Sequence, residues 1–269
     1  MFKHVLKVAV SLSLLSSAPV FADAIIDAVG SENRPVEQKI RDEYRNPQQT
    51  LRFFDVQADM AVAEISPGGG WYSNILAPLL KDKGQYYAAH FYLYEGAPGY
   101  YKRLLDGFKQ KVATQADYSN TKVTAFHHLK AQDFAPAGSL DRVLTFRNVH
   151  NWYMDAGQEG IEQAFISFAK ALKKGGIVGV VDHKLPESAS DDMQKKSGYM
   201  KQSVVVAAAQ KAGLTLVAES AINLNPLDSS NHERGVWTLP PTLALGDKDQ
   251  AKYLAIGEST RMTLKFVKP

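Results

Sequence analysis

Apolar and polar positions recur with two periods along this chain, and the switches between them mark out its elements. Residues 33–54 carry Ile40, Tyr44, Leu51, Phe53 and Phe54 at loosely helical spacings behind Pro35, which suits a first turn; this predicts a helical preamble. Met60–Ile65 reads as a short strand running into a glycine cluster. Trp71–Lys81 then has helical spacing through Ile75, Leu76, Leu79 and Leu80. Gln85–Phe91 is strand-like and rich in aromatics, and Tyr100–Val112 sets Leu104, Leu105, Phe108 and Val112 on one helical face. Lys122–Phe126 and Arg142–Phe146 predict two more strands. Ile161–Leu172 predicts a helix facing inward through Ala164, Phe165, Phe168 and Leu172, stopped by Gly175-Gly176. Ile177–Val181 is β-branched without alternation, the pattern of a strand covered on both faces. Tyr199–Ala212 predicts a helix, Leu214–Glu219 a strand and Arg261–Val267 a last strand.

Strands alternating with helices predict a doubly wound α/β fold, a mainly parallel sheet of seven strands with helices on both faces, in one domain. Residues 223–259 form an excursion without clear periodicity, long enough to cover a site. No internal repeat or low-complexity linker divides the chain.

Composition narrows the classes. A hydrophobic content of 45% in 269 residues argues against disorder. The absence of Cys excludes a disulfide scaffold, a thiolate zinc site, an Fe–S cluster and a cysteine nucleophile. Met1–Ala22 reads as a cleavable secretory signal: Lys3 and Lys7 form a positive start, Val8–Leu15 a short apolar stretch, and Val20-Phe21-Ala22 a small-residue cleavage site. That apolar stretch falls well short of the roughly 20 residues a membrane span needs. The expectation is a periplasmic or secreted bacterial protein of residues 23–269 with no integral membrane segment after cleavage. Losing Lys3 and Lys7 leaves 29 basic against 28 acidic residues, so nothing points to nucleic acid as a partner.

In a doubly wound sheet, ligands bind beyond the carboxyl ends of the strands. The first such loop reads Glu64-Ile65-Ser66-Pro67-Gly68-Gly69-Gly70-Trp71-Tyr72. Glycines there permit a tight turn and close approach of a ligand, and the helix that follows offers free N–H groups. The fourth strand, Leu144-Thr145-Phe146, runs into Arg147, Asn148, His150 and Asn151, followed by Trp152 and Tyr153. Polar groups crowded beside a buried strand are costly unless paired or used. His150 suits proton removal, since an imidazole titrates near neutrality. Asn151 suits substrate orientation, and Trp152 or Tyr153 packing against a cation or an aromatic acceptor. A third cluster is Asp182-His183-Lys184. His90, His150 and His183 all end strands, but no His-x-x-x-His or His-carboxylate spacing accompanies them, and no metal is expected. A nucleophile elbow and a P-loop are both absent.

Glu64-Ile65-Ser66-Pro67-Gly68-Gly69-Gly70 resembles motif I of the class I S-adenosylmethionine-dependent methyltransferases. Together with Arg147-Asn148-Val149-His150-Asn151-Trp152 and Gly235-Val236-Trp237-Thr238-Leu239-Pro240-Pro241, it is similar to an exported bacterial family described as predicted methyltransferases, from about Arg34 to Pro269. The resemblance implies a Rossmann-like seven-strand sheet whose last strand is antiparallel. It implies S-adenosylmethionine as cofactor, with Glu64 and Ser66 beside the amino-acid moiety and Gly68, Gly69 and Gly70 passing close to it. Arg147 and Asn148 would also face the cofactor, Asp133 the adenine amine, and His150, Asn151 and Tyr153 the reacting centre. An acidic residue ends the family's second strand and holds the ribose. Here that strand ends Ala88-Ala89-His90-Phe91, with the nearest acid at Glu95, so His90 takes that position without a carboxylate's bidentate capacity.

Two functions follow. One is an enzyme transferring methyl from S-adenosylmethionine to a small-molecule acceptor, with His150 as base. The other is an exported, non-catalytic protein binding a small ligand on the same scaffold. An NAD-linked oxidoreductase fits less well, for want of G-x-G-x-x-G and a second-strand acid.

Overall fold

The computed structural model describes residues 23–130 and 133–269; the signal-like segment lies outside the described residues. Ahead of the sheet the chain forms Ala24–Gly30 (α1), Val36–Lys39 (α2), Asp42–Arg45 (α3) and Pro47–Phe53 (α4). The preamble is thus several short helices. Pro47 opens α4, and Asn46 turns left-handed (φ 42°) between α3 and α4. The apolar spacing does not anticipate α1, which buries only Ile25 and Ala28 and is capped by Asp23 accepting from the Ile25 N–H at 3.0 Å.

The alternation then runs as the periodicity predicts: Ala61–Ile65 (β1), Ser73–Leu80 (α5), Gln85–Phe91 (β2), Gly99–Thr114 (α6), Thr121–Phe126 (β3) and Leu140–Phe146 (β4). Val149–Ala171 (α7) is broken at Ala156 and Gly157, where the backbone leaves helical geometry. Leu172–Leu185 (β5), Asp191–Lys196 (α8), the two-residue Met200–Lys201 (β6), Gln202–Lys211 (α9) and Thr215–Ser220 (β7) follow. Gln250–Ile256 (α10) and Arg261–Val267 (β8) complete the chain.

The main strands lie in the order β3-β2-β1-β4-β5-β8-β7, with β6 pairing β5 off that path. β1 through β5 run parallel, and β8 inserts antiparallel between β5 and β7. The expected doubly wound sheet with an antiparallel last strand is therefore what the chain forms. Alternate residues feed two cores. Ala63, Ile65, Tyr87 and Val143 meet Phe165, Phe168 and Val205 on one face. Val62, Tyr86, Ala88 and Leu144 meet Leu51, Phe54, Ile75 and Phe108 on the other.

Strand order reverses between β1 and β4, the switch point where the crevice of such a sheet opens. The register brings the strand ends level there, pairing Ile65 with Ala89 and Thr145, and Phe146 with Val181. Among the described residues, no helix is long and apolar enough to cross a membrane.

Candidate functional site

A cavity of about 500 Å³ opens at this level edge, within the size range of small-molecule sites. Its floor is Ser66, Gly68 and Gly69 after β1, Phe91 at the end of β2, Phe146 at the end of β4, and Arg147, Asn148 and His150 after it. Its walls come from the preamble (Gln38, Arg41, Arg45) and from the excursion (Trp237, Pro240, Pro241, Thr242, Glu258, Ser259).

The turn after β1 is left-handed at Ser66 (φ 48°), Gly68 (φ 59°) and Gly70 (φ 81°). A Cβ on Gly68 or Gly69 would meet nothing within 4 Å, so the backbone here borders open space. Gly70 is different: it is packed against Phe108 and Lys111 and faces away from the cavity.

His90 props this turn. Its Nδ1 accepts from the Phe91 N–H at 2.8 Å, which leaves the proton on Nε2 to be donated to the Gly68 carbonyl at 3.1 Å. Burial lowers its pKa to about 4, so the ring is neutral. With both nitrogens engaged, His90 offers nothing to a ribose. The residue of β2 that reaches the cavity is Phe91, stacked on Tyr101. Glu64 also sits differently from the expectation. It is buried beneath the turn, where Tyr86 (2.5 Å) and Ser73 (2.7 Å) crowd one carboxylate oxygen. Burial raises its pKa to about 7 against the pull of those hydrogen bonds. It shapes the turn from below and does not line the cavity.

After β4, Arg147 is left-handed (φ 61°), a conformation that costs a non-glycine residue free energy. Asn148 donates to the Ile65 carbonyl at 2.8 Å and to Thr145 Oγ1 at 3.2 Å, clipping the ends of β4 and β1 together. The residues after Asn148, ahead of the helix that the spacing predicts from Ile161, already form the first turn of α7. Helical spacing turns Val149, His150 and Trp152 inward and leaves Asn151 exposed. Tyr153 packs against the core and does not reach the cavity. Asp133 is exposed, in an ion pair with Lys170 at 2.6 Å, away from the cavity.

His150 meets Asp182 at the end of β5. Asp182 is fully buried and accepts from His150 Nδ1 (2.8 Å), the His150 N–H (3.2 Å) and the His183 N–H (2.7 Å). A carboxylate so placed fixes the proton of His150 on Nδ1 and leaves Nε2, without a partner among the described residues, as a proton acceptor for the cavity. His183 lies 5.0 Å away between ring centroids, and its Nδ1 is 2.5 Å from Ser259 Oγ. Burial, then the charges of His150 and nearby arginines, hold its pKa well below the usual imidazole value. Ligand atoms of His150, Asp182 and His183 fall within 4.8 Å of one another, the one set among the described residues that could hold a metal ion. Arg45, Arg147 and Arg261 place positive charge beside His183, which opposes a cation there.

The opposite wall is a buried ion network invisible to motif reasoning. Glu258 takes Arg41 Nε (2.6 Å), Arg45 Nε (3.0 Å) and Arg261 Nη1 (3.3 Å). Burial pushes the carboxyl of Glu258 up, but the arginines together bring it below its ordinary value. Within the excursion, His232 pairs with Asp228 and Glu233 with Lys248, and none of residues 231–234 lines the cavity. Of the anticipated residues, then, Ser66, Gly68, Gly69, Arg147, Asn148 and His150 converge on the cavity.

No family model and no curated protein matches the chain. Solved structures do match in fold. A SAM-dependent methyltransferase from Aquifex aeolicus aligns with 14% identity and a TM-score of 0.55, over 88% of this chain and 99% of that one. Geranyl diphosphate C-methyltransferase from Streptomyces coelicolor aligns with 10% identity and a TM-score of 0.54, over 91% and 87%. The cyclase SpnF aligns with 12% identity and a TM-score of 0.54, over 84% and 81%. The chain has the class I methyltransferase fold; at such identities the likeness carries no activity with it.

Proposed function

We propose that this protein is an exported enzyme that methylates a small molecule with S-adenosylmethionine. The observation that carries the reading is the meeting, in one cavity at the switch point, of an open glycine turn and the His150–Asp182 pair. The cofactor fits at its amino-acid end. The backbone of Gly68 and Gly69 leaves free the space that side chains would fill, and Ser66 adds a hydroxyl. Those residues and Asn148 would hold it, and when bound it supplies an electrophilic methyl group.

The chain's own residues do the rest. Methyl transfer needs chiefly alignment, with a base where the nucleophile must lose a proton. Asp182 orients His150, and Nε2 takes that proton. Trp237, Pro240 and Pro241 give the cavity an apolar wall. Equilibrium dialysis with methyl-labelled S-adenosylmethionine and a panel of small acceptors tests this. His150→Gln is expected to retain cofactor binding and to lower transfer by about 10²- to 10⁴-fold. Transfer unchanged in that variant would remove His150 as the base.

One observation favours the second reading, a non-catalytic ligand-binding protein. At the end of β2, Phe91 faces the cavity and His90 is consumed by backbone contacts, so no carboxylate stands ready for a ribose. Binding of a nucleoside-like ligand with no transfer to any acceptor would select it.

A further inference from the structure

The hydrogen-bond inventory of the cavity is lopsided. Arg41 Nη2, Arg45 Nη2 and Trp71 Nε1 are buried polar atoms without a partner, and all three residues line the cavity. Arg147 lines it too, and its guanidinium has no hydrogen-bond or ion-pair partner among the described residues. All of these are donors. Buried donors without acceptors are costly, and native proteins rarely leave several together. Arg45 is itself only 2% exposed, with Trp71 beneath it at 4.6 Å.

The charge is lopsided in the same sense. Arg41, Arg45, Arg147 and Arg261 surround the carboxylate of Glu258, and the other buried acid near them, Asp182, is already engaged by His150. Burial, then the neighbouring Arg147, lowers Arg45 to about 9, and burial brings Arg261 to about 10 although Glu258 pulls both back up. Glu37 is the other acid on the lining, and it is exposed at the rim.

We infer that the cavity is built for a ligand presenting an oxyanion, a carboxylate or a phosphate, to Arg41, Arg45 and Arg147. Resting on the methyl-transfer reading, that ligand is the acceptor: a small organic acid or phosphate ester. Arg147 stands three residues before His150, and both line the same cavity. An anion held by Arg147 brings its molecule beside the base. Planar guanidinium groups suit either oxyanion, since each offers paired N–H donors.

Calorimetric titration of the protein with inorganic phosphate, against sodium chloride at equal ionic strength, tests the subsite. Phosphate is expected to bind where chloride does not, and Arg147→Met to weaken it by about ten- to hundredfold. Because Arg147 has no partner to lose, the same variant is expected to melt no lower than wild type in phosphate-free buffer. Arg41→Gln provides a second variant on the opposite wall, with the same expected loss of phosphate. No phosphate binding beyond chloride, or full binding by both variants, overturns the subsite. A second arm adds S-adenosylhomocysteine. Unchanged affinity at saturating phosphate assigns the subsite to the acceptor. Competition overturns that assignment and gives the arginines to the cofactor's own carboxylate. Phosphate binding with no binding of S-adenosylhomocysteine keeps the anion subsite and removes the methyl-transfer reading.

Discussion

Glu64 and His90 show how far a residue's surroundings can move it from the role its position suggests. Glu64 stands where motif I places its acid, yet it lies under the turn with Tyr86 and Ser73 against it. Its pKa is raised by burial from 4.5 to about 7. A carboxyl whose folded pKa lies above its unfolded value contributes stability that is full below about pH 4.5 and is lost as pH rises through about 7. Glu64→Gln keeps a neutral group of the same shape and removes that dependence. The variant is expected to match wild type at pH 4.5 and to exceed it by about 2–3 kcal/mol at pH 8, read from urea unfolding at both pH values. A variant less stable at pH 8 would mean that the ionised carboxylate is wanted there. Gly68, Gly69 and His150 were legible as cavity residues, because a turn or a polar cluster at a strand end is a local pattern, whereas Gly70 turns away from the cavity. Which side of the turn Glu64 occupies was not legible: that depends on Tyr86, on the neighbouring strand.

Strands and helices were legible where each buries one continuous pattern. β1 to β5 feed two cores and β8 feeds one through Met262, Leu264 and Phe266, so the β-branched and aromatic runs locate them well. The start of α7 was misread because Arg147, Asn148, His150 and Asn151 look like loop polarity. Only Val149 and Trp152 carry the helical spacing, before the break at Ala156 and Gly157 interrupts it. The packing of α4 on the sheet depends on one position without a side chain. A Cβ on Gly179 in β5 would stand 2.7 Å from the ring of Phe54 and 2.8 Å from Leu144 Cδ2. Both neighbours are fully buried and have no room to retreat. Gly179→Ala is therefore expected to cost about 1–3 kcal/mol through overpacking, seen as a lower urea midpoint with an unchanged slope. An unaltered midpoint would show that Phe54 is looser against the sheet than its contacts imply.

Across the whole molecule, the cavity is closed by segments far apart in sequence. Arg45 and Glu258 are separated by 213 positions, and their ion pair ties the preamble to the end of the excursion just before β8. Nothing local in either segment announces the pairing, which is why the arginine wall was not legible, although the excursion's length suggested a cover. The central claim is that the glycine turn at the switch point holds S-adenosylmethionine or its product. Thermal unfolding with S-adenosylhomocysteine, on wild type and on Gly69→Val, tests this most directly. Gly69 lacks a positive φ and has free space beside it, so valine is tolerated by the fold while occupying the cradle. At 100 times its dissociation constant the ligand is expected to stabilise wild type by about 2.7 kcal/mol, a rise of roughly 5–10 °C. Gly69→Val should melt near wild type without ligand and lose most of that rise. No rise in wild type at millimolar ligand, or an equal rise in both proteins, would contradict the account.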